Sequence, residues 1–170
     1  MSDDALIRMS AARVVDLLHG REVSPLELVE ASIRRIEATD GALNALPVRC
    51  FDRAREQALA MGRGPLPLLG GLPIVVKDNN DVGGVITSGG TALFKDRLAA
   101  VSDRTIAHME RHGAIPMAKA NLSELGGANT TNRLFGATRN PRDKRLTCGG
   151  SSGGSAVAVA TGQVWLAHGN

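Results

Sequence analysis

Between Thr147 and Ser155 the chain reads Thr-Cys-Gly-Gly-Ser-Ser-Gly-Gly-Ser, and it continues without a break as Ala156-Val-Ala-Val-Ala160. Glycine permits close backbone approach but weakens the interior of a helix or strand. A flexible linker of this composition would have little reason to lead into an apolar run that reads as a buried helix. The stretch is therefore read as a glycine-rich loop that opens a helix from about Gly153 to Thr161.

Such a loop presents unpaired backbone N–H groups, so phosphate binding is the first chemistry to weigh. A P-loop needs lysine directly after its last glycine. Gly149 and Gly154 have the right separation, but Ser155 stands in the lysine position. A second candidate is the nucleophile elbow of an α/β-hydrolase, since G-x-S-x-G is satisfied around Ser151 and again around Ser152. An elbow serine follows a buried strand, whereas the chain from Pro141 to Thr147 is polar. Its Asp and His partners should also come later, and after the cluster only His168 follows, with no Asp or Glu. The S-x-x-K pair of penicillin-binding proteins occurs nowhere.

Composition removes other classes. With 43% hydrophobic and 22% charged residues, 170 residues suffice for one globular unit burying roughly 70% of its unfolded surface. Aromatic residues make up 2% and tyrosine is absent, which leaves too few stacking platforms for a single-stranded nucleic-acid binder. A net charge of +3 does not compensate, and Arg139, Arg142, Lys144 and Arg145, interrupted by Asp143, read as a solvated loop. No nucleic-acid partner is expected. Cys50 and Cys148 match neither a disulfide framework nor a zinc spacing. His108 and His112 are one helical turn apart but lack an H-E-x-x-H pattern or a third ligand, so no metal is expected. The acidic N-terminus lacks the apolar core of a secretory signal, and no window is long enough to span a bilayer. A cytoplasmic protein without a membrane partner is the simplest expectation.

Periodicity predicts amphipathic helices over Ser10–His19 and Pro25–Thr39. In the second, Ser24 caps, Pro25 takes the first helical position and Glu27 completes a capping box, while Leu26, Val29, Ile33 and Ile36 form a stripe. A third helix is predicted over Phe51–Met61, followed by the turn-rich segment from Gly62 to Gly71. The β-branched run Leu72–Val76 reads as a buried strand. A helix from about Asp103 to His112, capped by Ser102 and closed by Gly113, leads to a second strand at Ala114–Ala118. A last strand is predicted from Val164 to about Gly169. This alternation implies an α/β fold: N-terminal helices followed by part of a mixed β-sheet core flanked by helices.

Lys77 stands at the end of the first strand. A lysine buried there is costly to keep charged, so its pKa tends to fall and it can serve as the base of a serine mechanism that lacks histidine. Taken alone it is more simply a snorkelling lysine, or one paired with Asp78 or Asp81. Three landmarks change the weighing: Gly71-Leu-Pro-Ile-Val-Val-Lys-Asp-Asn-Asn-Asp-Val82, Phe135-Gly-Ala-Thr-Arg-Asn-Pro141 and Gly149-Gly-Ser-Ser-Gly-Gly-Ser155. In order and spacing they resemble the amidase signature family, over about Ser24 to Asn170.

The resemblance implies a Ser-cisSer-Lys hydrolase that cleaves carbon–nitrogen amide bonds through an acyl-enzyme and needs no cofactor. Lys77 would be the general base, and Ser151 would sit on a non-proline cis peptide and relay the proton. Ser152 and Gly153 would support the relay, Gly126 and Gly127 would border the acyl pocket, and Asn121 and Glu124 would brace that segment, though an ordinary helix start explains the last two equally well. Asp78 or nearby asparagines would hold the lysine. The family's nucleophile lies further on, in an Asp-x-Gly-Gly-Ser segment whose amides form the oxyanion hole, and the sequence stops at His168-Gly-Asn170. The resemblance thus implies an incomplete amidase signature domain, with residues 1–23 as an N-terminal helical extension and 24–170 as the first part of the catalytic domain, inactive alone. The substrate would be a small-molecule amide, with a homo-oligomer possible. The alternatives are a glutaminase subunit of a tRNA-dependent amidotransferase, which the segments Asn129–Leu134 and Arg139–Arg145 resemble less, or a non-catalytic truncated binding module.

Overall fold

The computed structural model describes residues 2–62 and 64–170. Arg63, inside the predicted turn-rich segment, lies outside the described residues.

Three helices open the chain, one more than periodicity suggests. Helix α1 (Asp3–Ile7) is capped by Ser2, carries Asp3 and Asp4 in its first turn, and at five residues is too short to show a repeat. It is fastened from outside: Arg34 holds the Asp3 carboxylate at 2.5 Å, and the Trp165 indole donates to the Leu6 carbonyl at 3.1 Å. Helix α2 (Ala11–His19) begins at the Ser10 cap. Helix α3 (Pro25–Thr39) has the predicted capping box, with Ser24 Oγ accepting from Glu27 N at 3.2 Å and Ser24 N donating to Glu27 Oε2 at 2.8 Å.

Strand β1 (Val48–Arg49) and helix α4 (Phe51–Met61) precede the central strand β2 (Pro73–Lys77). Helix α5 (Arg104–Arg111) then crosses over to β3 (Ile115–Ala120). Ser102 does not cap α5, contrary to the sequence reading. Its hydroxyl donates to Glu110 Oε2 at 2.6 Å and accepts from Gly83 N at 2.9 Å, so the position tethers the preceding loop to the helix. Gly113 does close α5, at φ +92°. A two-stranded ribbon, β4 (Thr131–Asn132) with β5 (Gly136–Ala137), leads to α6 (Gly153–Ala160) and β6 (Leu166–His168).

The main sheet has the order β1-β3-β2-β6. β2 runs parallel to β3 and β6, and β1 is antiparallel to β3, so the sheet is mixed. Pro116 has no N–H to give a ladder, yet β3 is an inner strand. It is accommodated at a bulge, where the register passes from Ile74↔Pro116 to Val75↔Ala118.

Alternation along β2 sorts its neighbours. Val75 packs with Val29, Ile33 and Ile36 of α3, Ala54 and Ala58 of α4, and Val157 and Ala158 of α6. Ile74 and Val76 point the other way, to Ile106 of α5 and to Val82 and Val85. Lys77 has the parity of Val75 and therefore leaves the sheet on the side of α6. Helix α6 lies on the sheet by one face: Val157 and Ala158 are buried, while Ala156, Val159 and Ala160 are exposed, so it is half-covered rather than the fully buried helix its composition suggests.

Candidate active site

Lys77 is the last residue of β2 and only 1% exposed. Its Nζ donates to Ser151 Oγ at 2.6 Å, to the Asn170 carbonyl at 2.9 Å and to Asn170 Oδ1 at 2.8 Å, which uses its three donors. No Asp or Glu side chain pairs with it among the described residues. The sequence offered Asp78 and Asp81, but Asp81 is held by Arg97 at 2.5 Å and Asp78 by Lys119 at 3.0 Å. Burial therefore acts on Lys77 without compensation and pushes its pKa below the ordinary lysine value.

Ser151 follows a cis peptide from Gly150, the isomer the sequence resemblance implies. The cluster around it is fixed by three segments. Thr130 donates both its N–H and its hydroxyl to Gly149 O, each at 2.9 Å, and its Oγ1 accepts from Gly153 N at 2.9 Å. The Asn121 carbonyl accepts from Gly154 N at 3.1 Å. Ser152 Oγ donates to the Asn170 carbonyl at 2.8 Å, and Ser155 Oγ donates to the His168 carbonyl at 2.7 Å. The N–H groups of Gly153 and Gly154, the first two of α6, are thus taken by protein acceptors rather than free to cradle a phosphate.

His168, on β6 opposite Val76, borders the site. It is half-buried, its Nδ1 has no partner among the described residues, and burial first, then the Lys77 charge, lower its pKa. The turn after β2 opens on a cavity of about 310 Å³ lined by Asn79, Thr87, Gly89, Phe94, Arg97 and Leu125. Asn79 Nδ2 in turn donates to Asn170 Oδ1 at 3.3 Å, which joins this wall to the Lys77 cluster.

Against this geometry the relatives can be placed. The amidase family profile matches residues 27–170. The chain is 39% identical over 170 residues to AmiC of Mycobacterium tuberculosis, a putative amidase, covering 99% of this chain and 36% of that protein. It is 35% identical to a glutamyl-tRNA(Gln) amidotransferase subunit of Koribacter versatilis, covering 94% of this chain and 34% of that one. Among solved structures, a bacterial aryl acylamidase of the amidase signature family superposes with a TM-score of 0.87 at 36% identity, over 92% of this chain and 34% of its own. The chain belongs to the amidase signature family. It spans about a third of the length of the curated relatives it matches.

Within the amidase signature frame the other expected residues separate. Ser152 and Gly153 lie in the Lys77–Ser151 cluster. Gly126, half-buried at φ +84°, and exposed Gly127 lie on a 3-10 turn at Glu124–Gly126 and make no hydrogen bond to Lys77 or Ser151. What reaches the cluster from that segment is its continuation, Ala128 to Thr130, packed on Gly150. Asn121 ties a different part of the chain from the Gly126–Gly127 segment: its Nδ2 donates to Thr138 Oγ1 at 3.0 Å and its Oδ1 accepts from Asn132 at 2.8 Å. Glu124 is exposed, and its side chain makes no hydrogen bond among the described residues.

Sequence reasoning missed Thr130 and Lys119. Nothing local marks Thr130. Lys119 carries the same signal as Lys77, a lysine in an apolar strand, but the strand expected over Ala114–Ala118 stops two residues short of the end of β3.

Proposed function

We propose that this chain supplies the base and proton relay of an amide hydrolase, with Lys77 as general base and Ser151 as relay. The observation that carries this reading is the 2.6 Å contact between Ser151 Oγ and a buried lysine that no Asp or Glu side chain among the described residues neutralises. A lysine so placed loses its proton more readily than a free one, and neutral Nζ can accept from the Ser151 hydroxyl.

In the proposed cycle, Lys77 takes the Ser151 proton as Ser151 takes one from an attacking serine hydroxyl. A carbon–oxygen bond forms to the substrate carbonyl. On collapse the same path returns a proton to the nitrogen, the carbon–nitrogen bond breaks, and water later cleaves the acyl-enzyme by the reverse route. The attacking serine is the one the family resemblance implies beyond Asn170, and Ser152 and Gly153 would support the relay. Gly126 and Gly127 are proposed to edge the acyl side through the segment they share with Ala128. The 310 Å³ cavity beside Asn79 is of a size for one arm of a small amide.

The test is turnover of a simple amide by a polypeptide that carries this chain and continues to a Gly-Gly-Ser segment. Lys77→Ala and Ser151→Ala should each lower kcat by about 100-fold or more. The wild-type rate should rise with pH through the folded-state midpoint of Lys77, below 10.5. Undiminished activity in Lys77→Ala would overturn the assignment. The 170-residue chain alone should be labelled by an active-site serine probe at neither Ser151 nor Ser152.

A second reading draws on the similarity to the Koribacter versatilis protein: a glutaminase component that passes ammonia to a partner. Glutamine-dependent ammonia release together with copurifying partner chains would favour it over a free-standing amidase.

A further inference from the structure

The residue next to the candidate base is an acid, and the fold keeps the two apart. Lys77 and Asp78 are consecutive and exposed by only 1% and 0%. Strand alternation sends them to opposite sides of β2, and Lys119 faces the same side as Asp78 because its register partner is Val76. There Lys119 Nζ reaches Asp78 Oδ1 at 3.0 Å and Thr87 Oγ1 at 2.7 Å. Ser88 donates its N–H to Asp78 Oδ2 at 3.2 Å and its hydroxyl to the same oxygen. Two buried lysines thus flank a single carboxylate, and of the two only Lys119 hydrogen-bonds to it, with Ser88 as its other partner.

We propose that Lys119 is a positioning residue for the site: by engaging Asp78 on the far side of β2, it withholds the carboxylate adjacent in sequence from Lys77 and keeps Lys77 available as a neutral base. The proposal rests on the reading of Lys77 as the base. An opposite charge a few ångströms away would favour the ammonium form, and a buried carboxylate that loses its partner seeks another. The directions agree: burial alone lowers Lys77, whereas at Lys119 the burial effect is opposed by the charge and hydrogen bond of Asp78.

The other charged groups around β2 are accounted for. On β6, His168 is pushed toward its neutral form. Helix α6 carries no titratable side chain. On α3, Glu27 is held by Ser24, Glu30 by Arg55, Arg34 by Asp3 and Arg35 by the Thr161 carbonyl, while Glu37 is exposed. Beyond the strand, Asp81 pairs with Arg97, and Asp103 accepts from Asn80 and from Asp81 N. On α5, Arg53 of α4 engages Glu110, and Arg104, His108 and Arg111 lie toward solvent.

The test follows the Lys77 titration midpoint by NMR of a lysine-labelled polypeptide that carries this chain and continues past Asn170, so that no terminal carboxylate faces Nζ, with Lys77→Met assigning the signal. In Lys119→Met, which frees Asp78, the midpoint should shift upward. In Asp78→Asn it should not rise, because the carboxylate is gone and the remaining Lys119 cation repels a second one. In the double variant, which leaves no charge unpaired, it should return to the wild-type value. Mere loosening of the core would move all three upward together. A folded Lys119→Met with an unmoved midpoint, or a double variant raised like the single one, would overturn the proposal. If Lys119→Met does not fold, the double variant decides by the same criterion. Retained turnover in Lys77→Ala would instead strike at the base assignment and leave this titration series as it stands.

Discussion

His168 shows how one side chain couples the stability of this chain to its candidate site. It sits on β6 beside the end of β2, and both burial and the Lys77 charge disfavour its cation. Its folded pKa is therefore below the 6.5 of the unfolded chain, and between those two values the unfolded state binds more protons. Stability contributed there rises with pH, so it is intact above 6.5 and is lost progressively as pH falls toward the folded midpoint. Thermal melts at decreasing pH should show a falling Tm, and His168→Gln should flatten that fall. The difference between the two proteins isolates this group from the carboxylates that titrate alongside it, and identical slopes would show that His168 is not the sensor. The sequence marked Lys77 and Ser151 through their types and order. It could not show which partner each buried charge takes, because Asp78 is adjacent to Lys77 along the chain but on the other side of the sheet.

At the scale of elements, α6 owes its place to a missing side chain. A Cβ on Gly154 would meet the Asn121 backbone N and O at 2.5 Å and the Ala45 carbonyl at 2.7 Å, all of them backbone atoms that cannot swing aside. Gly154→Ala must push α6 off β3, at or above the about 1–3 kcal/mol usual for overpacking a core. Gly149→Ala meets nothing within 4 Å and bears only the strain of φ +79°, about 1–2 kcal/mol. Denaturant unfolding should rank Gly154→Ala as the more damaging, and only Gly154→Ala should also disturb the Lys77–Ser151 contact. The reverse order would mean that α6 is free to shift. The elements that declared themselves in sequence were those with dense local signals: α3, through its cap, Pro25 and apolar stripe, and α4. Those that did not were held by distant partners. Helix α1 depends on Arg34 and Trp165, and β4 and β5 are too short for an alternation to appear. The end of β3 was obscured by Lys119, whose polarity reads as a strand end until its buried acid is seen.

Among the described residues there are three apolar clusters, and Val75 and Val76, which precede Lys77 on β2, belong to two of them. Leu6, Val14, Leu17, Leu18 and Val23 pack with Leu28 and Leu72 outside the sheet, forming a cluster to which Val75 and its helix partners do not belong. Removing residues 1–23 would uncover Leu28 and Leu72, now 0% and 1% exposed, at about 1.5–3 kcal/mol each. It would also remove Asp3 from Arg34 and Leu6 O from Trp165, but it would leave the Ser24 cap of α3 in place. The truncated chain should therefore melt well below the intact one. Its Lys77 midpoint should nevertheless be unchanged, because Ser151, Asn170, Val75 and the Asp78–Lys119 pair all lie in the retained part. That pairing of outcomes separates a supporting layer from a catalytic scaffold: Gly154→Ala, made inside the scaffold, should move both Tm and the midpoint, whereas the truncation should move Tm alone. A Lys77 midpoint that drifted to the ordinary lysine value in the truncated chain would show instead that the N-terminal helices hold β2 in register with β6, and that the site depends on all three clusters.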